Sequence, residues 1–179
     1  MPLTMTARAR RAVRWCAALL LLMGTALPAF AQGYSCAISP GSLNIAFNAY
    51  DPVSATPRTA SASVTLTCTH LTGGSQTINW AMQLNNGSSG TCVGVAGRTL
   101  RRVGSPTDMI GYNIYKGSVA NGVWGNSGCG TYPTGSMTVS NGNPNNIKSI
   151  TQTLFGQIPI NQFAPAGSYT DPLVLTISF

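Results

Sequence analysis

Titratable side chains are scarce in this sequence. It contains no glutamate, a single histidine, His70, and three aspartates, Asp51, Asp108 and Asp171, which fall in separate predicted turns. General acid–base catalysis and paired-carboxylate hydrolysis need such groups together in one site. The sequence also lacks a CxxC pair for zinc and a GxSxG motif for a serine nucleophile. We therefore expect a protein that is not an enzyme and that uses no metal or cofactor.

Long apolar runs are lacking beyond residue 31. Before it, four arginines between positions 8 and 14 precede the apolar stretch Trp15–Leu27 and the small-x-small sequence Ala29-Phe30-Ala31. This order is typical of a secretory signal peptide, and the stretch is short for a membrane span. The alternative is an uncleaved anchor. The sequence thus predicts a signal peptide over residues 1–31, export through the inner membrane, and a single mature domain over residues 32–179.

Net charge is small once the signal segment is set aside. The whole chain carries a formal charge of +7, but four of its ten basic residues precede residue 15, and six basic residues against three acidic ones leave +3. The one basic cluster is Arg98, Arg101 and Arg102. It is interpreted as a solvated loop or strand end, with a phosphate, acidic-glycan or surface contact as the alternative. Nucleic-acid binding is not expected, because such proteins present broader basic surfaces.

Cysteine usage fits an exported protein. Cys16 lies in the signal segment, and four cysteines follow it into a compartment where disulfides persist. Three connectivities are open. The favoured one joins Cys36 to Cys68 and Cys92 to Cys129, because the first pair flanks two consecutive strand patterns.

Apolar residues recur at every second position along most of the mature chain, and helix signals are nearly absent. Such alternation predicts half-buried strands, and Gly- and Asn-rich turns separate the segments. The predicted inward-facing residues are Leu43, Ile45 and Phe47; Ala62, Val64, Leu66 and Cys68; Ile78, Trp80, Met82 and Leu84; Ile110, Tyr112 and Ile114; Met137 and Val139; and Ile150, Leu154, Ile158 and Ile160. Together with a final strand, this predicts an all-β sandwich of immunoglobulin type with about seven strands; a closed barrel is the alternative.

The final strand has no residue after it to cover its edge. Leu173, Leu175, Ile177 and Phe179 form its apolar parity. An uncovered apolar strand at a sheet edge favours pairing with another chain. We therefore expect the sheet to be completed by a partner strand.

Four aromatic residues, Tyr112, Tyr115, Trp124 and Tyr132, have two interpretations. The favoured interpretation is that they pack the core of a sandwich, as aromatic side chains at this spacing usually do. The alternative is a carbohydrate platform, because aromatic faces stack on sugars. In that case Trp124, with Arg101 and Arg102 from the basic cluster, is the candidate contact for a surface ligand or glycan receptor.

Several segments, taken in order, resemble the spore coat protein U family, which includes subunits of archaic (Csu-type) chaperone-usher pili. Cys36 soon after the signal and Cys68 at a strand end belong to the same pattern. The resemblance extends over essentially the whole mature chain. Its segments are Phe47-Asn48-Ala49-Tyr50-Asp51-Pro52, Tyr112-Asn113-Ile114-Tyr115, Val123-Trp124-Gly125-Asn126, Gly156-Gln157-Ile158-Pro159 and Ala166-Gly167-Ser168-Tyr169-Thr170-Asp171.

The resemblance implies an incomplete immunoglobulin-like sandwich that lacks its last strand. A periplasmic chaperone strand would hold it, an outer-membrane usher would receive it, and a neighbouring pilus subunit would complete it in a cell-surface fimbrium. Because only Gln32–Ser35 precede Cys36, the subunit is expected to accept a strand at the fibre end and not to donate one. The alternatives are a freestanding secreted coat or matrix protein and a lectin-like module. The implied groove residues are Leu43, Ile45, Phe47, Leu173, Leu175, Ile177 and Phe179.

Overall fold

Apart from two single-turn 3₁₀ helices, Gly87–Ser89 and Val119–Asn121, all regular structure in the described part of the chain is β. The computed structural model describes residues 33–142 and 145–179, so the predicted signal peptide lies outside the described residues. Neither helix is long or apolar enough to cross a membrane, and the described ranges contain no other helix. The strands are β1 (Tyr34–Ser39), β2 (Arg58–His70), β3 (Gln76–Leu84), β4 (Arg98–Arg102), β5 (Ser105–Lys116), β6 (Thr134–Val139), β7 (Ile147–Ile158), β8 (Tyr169–Thr170) and β9 (Leu175–Ser178).

The strands form two antiparallel sheets of unequal size. The larger sheet has six strands in the order β1-β2-β7-β5-β4-β8, and the smaller has three in the order β6-β3-β9. The longest ladder joins β2 to β7, from Arg58 opposite Ile158 to Thr69 opposite Ile147. The predicted all-β sandwich is therefore confirmed, and the sheets do not join into one barrel.

Alternation along β2 shows why the sheets pack face to face. Val64 and Leu66 point inward and are fully buried, whereas Thr65 between them faces outward and lies 2.8 Å, hydroxyl to hydroxyl, from Thr151 on β7. Burial of such apolar side chains is the main stabilising contribution to a sandwich. The buried apolar core comprises Phe47, Val64, Leu66, Cys68, Ile78, Trp80, Met82, Leu84, Ile110, Tyr112, Ile114, Trp124, Val139, Leu154 and Ile158.

One side of the sandwich is closed by the chain between β5 and β6. The Trp124 N–H donates to the Ile114 carbonyl of the larger sheet, and the Leu84 N–H of the smaller sheet donates to the Gly125 carbonyl. The Trp124 indole N–H also donates to the Met82 carbonyl at 2.8 Å. This segment therefore bonds to both sheets and seals the core beside β3.

The strand predicted around Leu43–Phe47 is not formed, because residues 41–50 pair with no strand among the described residues. Three strands absent from the prediction, β1, β4 and the two-residue β8, are formed instead. The alternation at Leu43, Ile45 and Phe47 reflects contact with the core on one side only, without a neighbouring strand. β4 was not predicted because its composition is basic, although its first residue is buried.

The two disulfides join Cys36 to Cys68 and Cys92 to Cys129. Cys36 and Cys68 lie directly opposite each other on β1 and β2, with 4.1 Å between their Cα atoms. The second bridge ties the loop that precedes β4 to the segment that closes the sandwich, which fixes this loop over β5.

Candidate functional site

An opening in the sandwich lies where the smaller sheet stops short of covering the larger one. It is a groove of about 720 Å³. Its floor is the inner face of the larger sheet with Leu84 of β3, one wall is the unpaired segment after β1, and the other wall is the chain from β8 through β9. The lining residues are Ile38, Pro40, Gly41, Ser42, Leu43, Asn44, Ile45, Phe47, Val64, Leu84, Leu100, Tyr112, Ile114, Leu154, Tyr169, Thr170, Asp171, Leu173, Val174, Leu175 and Ile177.

The first wall, residues 41–47, is held by side chains and not by a β-ladder. None of its backbone groups forms a hydrogen bond with the backbone of another residue in the ranges 33–142 and 145–179. Its last residue, Phe47, is 8% exposed, stacks edge-on against Tyr112 with 5.7 Å between ring centroids, and accepts a bond at its carbonyl from the Arg58 side chain. The rest of the wall therefore carries unpaired N–H and C=O groups.

Gly156 of β7 provides the place where this wall rests. A Cβ atom at Gly156 would lie 2.5 Å from Cζ of Phe47 and 3.1 Å from Cγ2 of Ile45. Only the absence of a side chain allows Phe47 to lie this close to the sheet. Gly156 thus sets how deeply the wall sits against the floor.

The second wall is β9, which is the outer strand of the smaller sheet and, among the described strands, pairs with β3 alone. The Asn85 N–H donates to the Val174 carbonyl, and this bond shows which residues of β9 direct their backbone groups toward β3. Because bonding residues alternate along an antiparallel strand, Thr176 bonds to β3, whereas the backbone groups of Leu175 and Ile177 point to the open edge. The open edge therefore faces the groove with unpaired donors and acceptors.

The two walls run in opposite directions. Tyr112 contacts Phe47 with its ring and donates its hydroxyl to Asp171 at 2.7 Å, so it marks one end of the groove. The first wall ends here, at Phe47, and the second wall begins here, at Asp171. An extended segment placed between them is necessarily parallel to one wall and antiparallel to the other.

Asp171 forms a polar end to this otherwise largely apolar groove. Its two carboxylate oxygens accept bonds from the Ser88 N–H and the Tyr112 hydroxyl, each at 2.7 Å. A Cβ atom at Gly87 would lie 2.1 Å from the carboxylate, so the glycine makes room for it. Asp171 was predicted to set a turn with Pro172, and this is wrong, because its side chain instead anchors the crossover between the sheets. Asp51 does form its predicted turn, accepting the Val53 N–H at 3.0 Å.

Burial governs the ionisation of the groups below this end. It raises the pKa of Tyr112 far above its ordinary value, with the hydrogen bond to Asp171 acting in the same direction. The phenol therefore stays a hydrogen-bond donor. Burial lowers the pKa of Arg98, while Tyr112 and Asp171 act to raise it.

Six of the seven predicted groove residues line this opening, and the seventh does not. Phe179 lies beyond the end of β9 and is 45% exposed. The residues that line the groove are Leu43, Ile45, Phe47, Leu173, Leu175 and Ile177.

Trp124 was a candidate surface contact, and this is wrong. Its side chain is fully buried and its indole N–H is used by the Met82 carbonyl, so no face is left for a sugar. The aromatic residue became core because the segment that carries it closes the side of the sandwich.

The three arginines do not form one surface cluster. Arg98 is fully buried and donates to the carbonyls of Asn85 and Trp124 and to Oδ1 of Asn113. Arg101 donates to the carbonyls of Ser88 and Pro106.

Arg102 pairs with Asp108 at 3.0 Å, and its hydrogen bond lowers the pKa of that carboxyl. The predicted solvated loop or strand end is therefore wrong for Arg98. Arg101 and Arg102 remain partly exposed, so a surface contact by this pair is still a prediction.

Two important residues carry no strong signal in the sequence. Gly156 was noted only within the family resemblance, and a glycine inside an alternating strand pattern is the available signal for a close approach. Asp171 stood next to a proline and was interpreted as a turn residue.

In the described ranges, no three His, Cys, Asp or Glu side chains are grouped closely enough to hold a metal ion.

Over residues 24–176 the sequence matches the family model of the Spore Coat Protein U domain. Among solved structures, the chain is similar to one in the CsuC-CsuE chaperone-tip adhesion subunit pre-assembly complex from archaic chaperone-usher Csu pili of Acinetobacter baumannii, with a TM-score of 0.47 and 18% identity over 82% of this chain. A second is a chaperone-tip adhesin complex of CFA/I fimbriae biogenesis, with a TM-score of 0.43 and 11% identity over 80%. This chain spans 40% and 42% of the matched chains, and no curated protein matches it.

Proposed function

Because this chain belongs to the spore coat protein U domain family, as its motifs predicted, we propose that it is a structural and adhesive subunit of a chaperone-usher pilus. In this proposal the groove between residues 41–47 and β9 receives a strand from another protein. The exported subunit is not an enzyme. Its partners are a periplasmic chaperone, an outer-membrane usher and neighbouring subunits, and its final location is a cell-surface fimbrium.

One observation carries the proposal: two extended segments with unpaired backbone groups face each other across an apolar groove. Within the part of the chain that the structure describes, residues 41–47 make no backbone–backbone hydrogen bond, and β9 pairs on its β3 side alone. Unpaired edges of this kind bind an added strand, which supplies hydrogen bonds along its backbone and fills the groove with alternate side chains. The same insertion covers Val64 and Leu154 on the floor, so assembly and completion of the core coincide.

The opposed directions of the walls support successive use of one groove by two partners. An inserted strand that is parallel to β9 is antiparallel to residues 41–47. If the inserted strand runs in the other direction, it is antiparallel to β9 and parallel to residues 41–47. Both orientations therefore find one antiparallel neighbour, which is the better pairing geometry. A chaperone strand and a subunit strand can thus occupy the groove in turn with opposite directions.

β1 supports the role of acceptor. Residues Tyr34–Ser39 are paired along their length with β2, and Cys36 is bridged to Cys68. A segment committed in this way cannot insert into another subunit without breaking its own sheet.

Peptide binding to the purified mature chain tests the proposal. The probe is an acetylated, amidated peptide of about nine residues with isoleucine and threonine alternating, which spans the groove when extended. The control has the same length, with proline in place of the central threonines, where it removes N–H donors. We expect the first peptide to bind and to raise the melting temperature, and the second to do neither. A stable monomer that binds no strand would contradict the proposal and favour a freestanding secreted coat or matrix protein.

A further inference from the structure

One end of the groove is charged. Among the described residues that line the groove, Asp171 alone carries a charge, and it lies at the end marked by Tyr112. Its side chain belongs to the same alternation as Leu173, Leu175 and Ile177, all of which line the groove. A strand paired with β9 therefore places three inward-facing residues beside the apolar side chains and the next one beside Asp171.

The carboxylate of Asp171 keeps unused acceptor capacity. Each oxygen accepts one hydrogen bond, from the Ser88 N–H or the Tyr112 hydroxyl, and a carboxylate oxygen has room for a second. No described residue forms an ion pair with it, since the only such pair in the described ranges joins Arg102 to Asp108. Water can satisfy the remaining sites only while the groove is open.

Arg98 adds positive charge to this region but does not bond Asp171. Its guanidinium N–H groups are directed to the carbonyls of Asn85 and Trp124 and to Oδ1 of Asn113. When a strand fills the groove and excludes water, the outer side of the Asp171 carboxylate loses its solvent. Such a loss is unfavourable unless a hydrogen-bond donor replaces the water.

We propose that the strand received by this groove carries a lysine or arginine that pairs with Asp171. The inference rests on the proposed function and adds the chemistry and direction of the partner. In a strand antiparallel to β9, the basic residue follows three alternating apolar residues. In a strand parallel to β9, it precedes them. Asp171 thus gives a largely apolar groove a direction, because only one orientation of a given strand brings its cation to the carboxylate.

A peptide series on the mature chain tests this inference. Three acetylated, amidated peptides share three alternating isoleucines separated by threonines and differ only at the fourth inward position, which is lysine, glutamine or glutamate. We expect the lysine peptide to bind about tenfold more tightly than the glutamine peptide, and the glutamate peptide to bind most weakly. In Asp171→Asn the lysine and glutamine peptides should bind within about twofold of each other.

Asp108→Asn is the matched control, because Asp108 pairs with Arg102 and lies outside the residues that line the groove. It should retain the preference for lysine. If Asp171→Asn fails to fold, the wild-type chain still tests the ion pair, because added salt should narrow the difference between the lysine and glutamine peptides, and an unchanged ratio would overturn the pairing. Equal binding of all three peptides to the wild-type chain would overturn the role of Asp171 while supporting the strand-accepting groove. Absence of binding by every peptide would overturn the groove itself and this inference with it.

Discussion

Gly156 of β7 lies directly beneath the ring of Phe47, so close that a Cβ atom at residue 156 would be 2.5 Å from Cζ. This contact joins the floor of the groove to a wall that has no β-ladder of its own. The wall is therefore positioned by a missing side chain, and its position decides whether a strand fits between it and β9.

Gly156→Ala should push Phe47 and Ile45 away from the floor. We expect destabilisation of about 1–3 kcal/mol from overpacking, with weaker binding of the alternating peptide. Thermal unfolding and peptide titration measure the two effects. Gly74→Ala is the control, because a Cβ atom there has nothing within 4 Å, and it should change neither quantity. Equal behaviour of the two variants would contradict the proposed contact.

Leu175→Asp and Ile177→Asp should each place a charge in the groove. Burying an unpaired carboxylate under an inserted strand costs about 2 kcal/mol or more, so peptide binding and co-purification with a periplasmic chaperone should be lost. Thr176→Asp lies on the exposed face of the same strand and should bind nearly normally. The role of this edge fails if all three variants retain the chaperone equally.

Hydrogen exchange should distinguish neighbouring amides of β9. The Thr176 amide points to β3, whereas the Leu175 and Ile177 amides point to the groove. We expect the latter two to exchange faster than Thr176 in the free chain and to slow by about tenfold or more when the peptide binds. Exchange measured by NMR resolves the three amides. Protection that appears on Thr176 alone would show that the peptide binds elsewhere.

Arg98→Ala should be far more damaging than Arg102→Ala. Removal of the buried guanidinium leaves the carbonyls of Asn85 and Trp124 without a donor and the Asn113 amide oxygen with the Ile114 N–H alone, at a cost of about 3 kcal/mol or more. Arg102→Ala removes a partly exposed pair with Asp108, and pairs of this kind contribute little to stability because solvent screens them. Denaturant unfolding compares the variants. Similar losses of unfolding free energy in the two variants would contradict the larger contribution assigned to the buried Arg98.

Much of this protein can be predicted from local pattern. Alternation with period two identifies strands such as β2, β3 and β7 because each residue reports which face of its own strand is apolar. The four cysteines after residue 31 and the paucity of titratable residues can likewise be read from composition. The apolar parity of Leu173, Leu175 and Ile177 indicates the wall of a groove for the same reason.

Pairing is what local pattern cannot report. Residues 41–47 alternate like a strand and yet have no strand beside them, because alternation records contact with the core and carries no information on neighbours. Arg98 and Trp124 are buried only because the disulfide-tied loops and the closing segment fold over β5 and beside β3. Contacts between distant residues, such as Tyr112 with Asp171 and Gly156 with Phe47, arise when the sheets pack. The sequence by itself therefore determined most of the strands and the apolar faces, whereas the tertiary structure alone decided where the sandwich stays open. The physical reason is that hydrogen-bond partners and close approaches depend on segments far apart in the chain.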